Sequence, residues 1–170
     1  MTVAETEAPK AGKVDLRTMT GLEAMRFLLS ELQAGRMEQA PSIGTTLGFL
    51  LSEVGEGLVA FTGYPSDKVL NPLGTVHGGF ALTLIDSCTG CAAHTVLPAG
   101  VGYTTIETKV NFVRALMPDS GPVRAEGRVV AHGRTIITTE GKITDGRGRI
   151  VAHGTSTLMV LRPRAEEAAA

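Results

Sequence analysis

Apolar positions along the chain recur at two different periods. From Leu22 they return at Met25, Leu29 and Leu32, the spacing of one helix face, with Phe27 and Leu28 widening the stripe toward Gly35. Thr20-Gly21-Leu22-Glu23 precedes that stripe with capping-box spacing, hydroxyl to amide and carboxylate back to amide, so a helix is predicted to start there. Elsewhere the period shortens to that of strands. Thr46–Ser52 and Gly57–Thr62 read as two short strands across Gly55-Glu56-Gly57, with Pro41 closing the segment before them and Pro65-Ser66-Asp67 forming a turn after them. Four more are predicted at Thr104–Val113, Val123–Ala131, Arg134–Thr144 and Ile150–Leu161. Gly121-Pro122, His132-Gly133 and Asp145-Gly146-Arg147-Gly148 punctuate them, and their even spacing predicts a meander.

One segment follows neither pattern. From Val76 to Ala93 every side chain is apolar, small, hydroxyl or thiol except His77 and Asp86. Asn71-Pro72 and Gly74 mark a turn before it, Gly78-Gly79 open it and Pro98-Ala99-Gly100 close it, so it reads as a helix apolar nearly all round, which belongs inside a core. Sequential antiparallel strands with one such helix among them predict an α+β architecture, an antiparallel sheet wrapped around a long central helix with an extra N-terminal helix.

Composition narrows the class. A chain of 170 residues with 43% apolar content has the length of a single domain, placed here at residues 20–163, with residues 1–19 and 164–170 expected to be mobile tails. A net charge of −1 and no tryptophan supply neither a basic footprint nor stacking platforms for nucleic acid, and no anionic-membrane patch. No run is apolar and long enough to span a bilayer, and the first residues lack a signal-peptide core, so a cytoplasmic location is expected.

Asp86 carries the chemistry. An unpartnered ionised carboxylate inside a core is costly, so Asp86 is either hydrogen-bonded for structure or kept for reactivity. The first amides of the helix lack intrahelical acceptors, and glycine at 78 and 79 lets a ligand oxygen approach them, which describes an oxyanion hole. By itself His77-Gly78-Gly79 reads equally as a tight loop-to-helix junction. From Gly78 to Asp86 a helix rises about 12 Å, too far for both to act on one carbonyl. If both are catalytic they come from different subunits, and a homodimer is required. Cys88-Thr89-Gly90-Cys91 with His94 does not make a metal site, because Cys88 and His94 point about 240° apart around the helix. No metal is expected, and the thiols read as small core hydrophobes.

Asn71, His77, the pair Gly78-Gly79 and Asp86 at these spacings resemble the hotdog-fold thioesterases, specifically the phenylacetate-pathway group that includes the Arthrobacter-type 4-hydroxybenzoyl-CoA thioesterases. The resemblance covers most of the chain, from about Gly21 through Val110-Asn111-Phe112-Val113-Arg114 to Ala152-His153-Gly154-Thr155. It implies a hotdog fold, hydrolysis of an aryl-, arylacetyl- or medium-chain acyl-CoA, and a homotetramer built as a dimer of dimers. It requires no cofactor, since coenzyme A belongs to the substrate.

In that scheme the Gly78 amide holds the thioester oxygen, and Asp86 of the partner acts as general base or as nucleophile. Asn71 orients the thioester or the water, although a turn residue before Pro72 is its plain alternative. Thr105 sits beside the carboxylate, with Thr104 next in line if the register differs by one. His77 faces the leaving sulfur or simply starts the helix. Arg114 and Arg134 are candidates for the coenzyme A phosphates. A non-catalytic acyl-CoA-binding protein, sensor or structural, is the alternative class. A hotdog hydratase is disfavoured, because the fifth residue after Asp86 is Cys91 rather than histidine.

Overall fold

The structure, a computed structural model, describes residues 14–36 and 42–163. Residues 1–13 and 164–170 of the expected tails, and Pro41, lie outside the described residues. Residues 14–19 include a short 3₁₀ turn, Leu16–Thr18, where the Asp15 carboxylate accepts the Arg17 N–H.

Helix α1 spans Gly21–Gln33 and begins with the expected capping box, Thr20 and Glu23 bonding each other's backbone amides. Its Met25 is buried with Leu51, Val59 and Ala92, and Leu28, Leu29 and Leu32 pack half-buried around them, so the helix docks on its own sheet. The predicted strand at Thr46 starts later. Ser42 and Thr45 form a second capping box that winds Ile43–Leu47 into the short helix α2, and Gly48, left-handed at φ 81°, ends it. Strand β1 is therefore Phe49–Gly55, and β2 is Leu58–Gly63.

Helix α3, Gly78–His94, is followed by β3 (Gly102–Phe112), β4 (Val123–His132), β5 (Ile136–Thr144) and β6 (Ile150–Leu161). The six strands form one antiparallel sheet in the order β1-β2-β4-β5-β6-β3. This corrects the expected four-strand meander. Only β4, β5 and β6 are consecutive neighbours; β3 lies beyond β6 at the sheet edge, and β4 pairs with β2. The link from β3 to β4 passes the N-terminal end of α3, where the Val76 N–H donates to the carbonyl of buried Leu116 at 2.9 Å. Alternating apolar residues state that a strand has one buried face but not which strand lies beside it.

Helix α3 lies on the inner face and touches every strand. Leu84, Ile85 and Cys88 are fully buried on it with Val123 and Ile143 of the sheet, while Ala92 packs with Val59 and Ala93 with Ile137 and Leu158. A row of glycines makes this approach possible. Gly127 pairs with Gly141, and Gly141 with Gly154, so three neighbouring strands lack side chains at one level. A Cβ at Gly127 would run into the Cys88 carbonyl, and one at Gly141 would lie 2.9 Å from Thr89 Cγ2. At the far end the Thr95 hydroxyl accepts the Gly57 N–H at 2.8 Å, tying the β1–β2 hairpin to the end of α3.

The glycine row sets a stability expectation. Gly127→Val forces α3 off the sheet and should cost about 1–3 kcal/mol or more, the range for overpacked cores. Gly146→Ala, with nothing within 4 Å of the added carbon, is the matched control. Thermal melts of the two proteins check the difference.

Candidate active site

The N-terminus of α3 is built around His77. It is the N-cap, extended at φ −63° and ψ 138°, and its Nδ1 accepts the Gly79 N–H at 2.8 Å. Nδ1 is thus the unprotonated nitrogen and Nε2 carries the hydrogen on an exposed ring. The Phe80 N–H donates to the His77 carbonyl at 3.0 Å. Of the first three amides, Gly78 alone has no acceptor among the described residues. A Cβ at Gly78 would stand 3.1 Å from the Phe112 ring, so the amide lies close under β3. Beside it opens a cavity of about 370 Å³ lined by Ala81, Phe112, Val113, Arg114, Leu116 and Val151 among others.

Asp86 is half-buried on the side of α3 that faces β3. Its Oδ1 accepts the Thr105 hydroxyl at 3.0 Å and the Thr108 hydroxyl at 3.2 Å. Three residues apart on a regular strand, those hydroxyls would point to opposite faces. A β-bulge between Thr105 and Glu107 shifts the register by one and brings both inward. The hydroxyls continue inward. Thr108 lies 3.0 Å from the Ser156 hydroxyl, Ser156 lies 2.9 Å from that of Thr89, and Thr89 donates to the Ile85 carbonyl at 2.7 Å. Ser156 and Thr89 are 1% and 0% exposed, so this chain of hydroxyls is sealed from water behind the carboxylate. Oδ2 has no partner among the described residues. Thr105, not Thr104, therefore touches Asp86. Thr108, Ser156 and Thr89 were missed from sequence, because a bulge leaves no mark in a run of threonines.

Asn71 is occupied by its own turn. Its side-chain oxygen accepts the Leu73 and Thr75 amides at 2.9 and 3.3 Å, and its Nδ2 donates to the Thr75 hydroxyl at 2.7 Å. Arg114 lines the cavity beside Gly78 and donates to the Ile150 carbonyl at 2.7 Å. Arg134 is elsewhere, in the exposed β4–β5 turn, where its carbonyl accepts from Arg162 at 3.5 Å. Within one chain the two arginines lie at opposite ends of the sheet. Ile136, two residues after Arg134, pairs with Met159, whereas Ala152 pairs with Phe112 next to Gly78.

With this geometry in place, the chain can be compared with known proteins. Residues 73–152 match the family model of the thioesterase superfamily, from the turn before α3 into β6. A Saccharolobus solfataricus protein described as a candidate esterase is 33% identical over 93 residues, 55% of this chain and 64% of that protein. The chain thus spans less than two thirds of the length of the curated relatives it matches. A phenylacetic-acid-degradation-related protein of Ralstonia eutropha superposes with a TM-score of 0.65 at 26% identity, over 78% of this chain and 98% of that one. A Streptococcus mutans protein bound to acetyl CoA gives 0.62 at 28% identity, over 69% and 91%. The fold is the hotdog fold, and the family model matched is that of the thioesterase superfamily that the sequence resembles.

The cysteines on α3 are packed rather than poised. Cys88 is fully buried, and Cys91 faces the Tyr103 ring system. Burial pushes the Cys91 thiol up to about 12, and burial with the neighbouring Cys91 drives Cys88 higher still. His94 stacks obliquely on Tyr103 with ring centres 5.7 Å apart. Among the described residues no three His, Cys, Asp or Glu side chains converge as metal ligands would. The fully buried Cys88 thiol should resist an aromatic disulfide reagent at pH 8 in the folded protein and react fully in denaturant. Fast labelling of Cys88 in the native protein would contradict the buried geometry.

Proposed function

We propose that this hotdog-fold relative of the thioesterase superfamily hydrolyses the thioester of an acyl-CoA. The observation that carries this reading is Asp86, the single carboxylate of an apolar helix, with one oxygen held by Thr105 and Thr108 and the other without a partner among the described residues. A sensor would have no use for such an arrangement. Binding alone needs neither a half-buried carboxylate nor the hydroxyls that fix its orientation. The acetyl CoA bound by the Streptococcus mutans relative supports coenzyme A as the ligand class.

The site as proposed spans two copies of the chain. Among the described residues strand β3 pairs only with β6, leaving its other edge of 11 residues open to a second copy. Along β3, Asp86 sits at Thr105–Thr108 and Gly78 at Phe112. Antiparallel pairing of two such edges, centred between Thr108 and Lys109, would set Thr105 opposite Phe112 of the partner subunit. That register would bring Asp86 beside Gly78 of the partner subunit and build two identical sites. Within one chain the helical rise of about 12 Å keeps them apart.

In each site the Gly78 N–H would donate a hydrogen bond to the thioester oxygen as negative charge develops on it in the tetrahedral intermediate. The free oxygen of Asp86 would either take a proton from water, whose oxygen then attacks the carbonyl carbon, or attack that carbon itself to give an anhydride that water cleaves. In both routes the carbon–sulfur bond breaks and the thiolate leaves with a proton. The Nε2–H of His77, exposed beside Gly78, is available to the leaving sulfur. Asn71 retains one amide hydrogen beyond its turn bonds for orienting the thioester or the water. Arg114 is the phosphate candidate that shares the Gly78 cavity.

Asp86→Asn should lower turnover by ~10²-fold or more with the fold intact, the usual contribution of a catalytic carboxylate. Thr108→Val should lower kcat roughly tenfold, about 1.4 kcal/mol, at similar KM, while Thr108→Ser keeps most of the rate. Steady-state hydrolysis of the best acyl-CoA measures both, and a loss under tenfold in Asp86→Asn would remove that residue from the mechanism.

A shared site also predicts complementation. Gly78→Pro deletes the amide hydrogen at a helix position that tolerates proline. Co-refolding it with Asp86→Asn should restore part of the activity, since heterodimers rebuild one intact site. Heterodimers that form but stay inactive would show that the two residues do not cooperate across subunits.

A further inference from the structure

An apolar cavity of about 310 Å³ lies between α1, α2 and β1, outside the site described above. Met25, Leu28 and Leu32 of α1 form one wall and Phe49 and Leu51 of β1 another, while Ser87 and Cys91 of α3 line it from the helix side. Leu28 and Leu32 remain half-buried, so docking α1 on the sheet has not used up their apolar surface. The cavity starts one residue past Asp86. Ser87 is a quarter turn round α3 from the carboxylate, and Cys91 lies one turn further toward the C-terminus on nearly the same face. The space therefore starts next to Asp86 and runs along α3 toward its C-terminal end.

We propose that this cavity receives the acyl chain and that the substrate carries an unbranched medium-length aliphatic acyl group. The proposal rests on Asp86 being the hydrolytic carboxylate. At about 30 Å³ for each water-sized group, the cavity holds roughly ten heavy atoms. From Met25 to Leu32 the α1 wall extends about 10 Å, the length of an extended chain rather than of one ring. Two other cavities are lined by charged residues and fit apolar chains less well. The one on the outer sheet face is lined by Glu126, Arg128, Glu140 and Lys142, and Glu126 pairs with Arg128 at 2.9 Å and Lys142 at 3.6 Å. The one beyond Arg114 is lined by Asp119, Asp145, Arg147 and Arg149.

The test uses the full-length protein with two parallel series. One is binding of non-hydrolysable S-alkyl-CoA thioethers from two to sixteen carbons by calorimetry. The other is kcat/KM for the matching acyl-CoAs, with benzoyl- and phenylacetyl-CoA included. Affinity should climb about fourfold per added methylene until the cavity fills, near eight to ten carbons, and then level off. Leu28→Trp should move that break to shorter chains. Leu32→Ala should move it to longer chains. If the tryptophan variant does not fold, the wild-type series and Leu32→Ala decide. Affinity that levels off by four carbons, an aryl substrate preferred over octanoyl-CoA, or a break unmoved in the folded variants overturns the proposal. The two readings also separate. Climbing affinity that responds to Leu28→Trp without hydrolysis at any length would keep the cavity and defeat the hydrolase. Hydrolysis indifferent to chain length would do the reverse.

Discussion

Burying α3 is the constraint from which the rest of this structure follows. The helix is 17 residues long and apolar nearly all round, and it is stable only when a sheet curls over most of its surface. Curvature alone does not bring backbones that close. Gly127 and Gly141 let β4 and β5 approach the middle of the helix, and Thr95 and Val76 tether its two ends to Gly57 and Leu116. Fixed at both ends and in the middle, α3 cannot rotate, so the direction in which Asp86 points is determined by packing far from it.

That fixed orientation turns one polar residue into a site. The sheet covers most of the helix, and Asp86 falls on the part that meets the edge strand. A carboxylate there would be costly if left unpaired, and β3 meets the cost with two hydroxyls on one oxygen. Behind them Ser156 and Thr89 hold Thr108 in place from the buried side. The open edge of β3 and the free Gly78 amide lie along the same strand, which is why the proposed chemistry and the proposed pairing of two chains use one surface.

Much of this could be read along the chain because the signals are local. The capping box at Thr20, the glycine pair before an all-apolar run, the lone Asp86 and the strand at Ile150–Leu161 are each defined within a few residues. Physics ties such short patterns to one conformation: a cap satisfies orphan amides, and apolar periodicity follows helix or strand geometry. Thr46–Leu47 failed for the same kind of reason, since the capping box of Ser42 and Thr45 outweighs the weak strand preference of the residues that follow.

What tertiary structure alone decided depends on residues distant in sequence. The pattern of β3 and β4 gave no means of telling that β3 lies beside β6, because pairing is settled by which buried faces meet across the helix. The two threonines on Asp86 share a face only through a bulge created in register with β6. Asn71 bonds to Leu73 and Thr75 of its own turn, and Arg134 lies at the other end of the sheet from Arg114, though both arginines were candidates for the same phosphates. The sequence by itself determined which elements form and that the central helix carries a single carboxylate. The fold decided what that carboxylate touches, because hydrogen-bond partners are fixed by distances of a few ångströms between segments far apart in the chain.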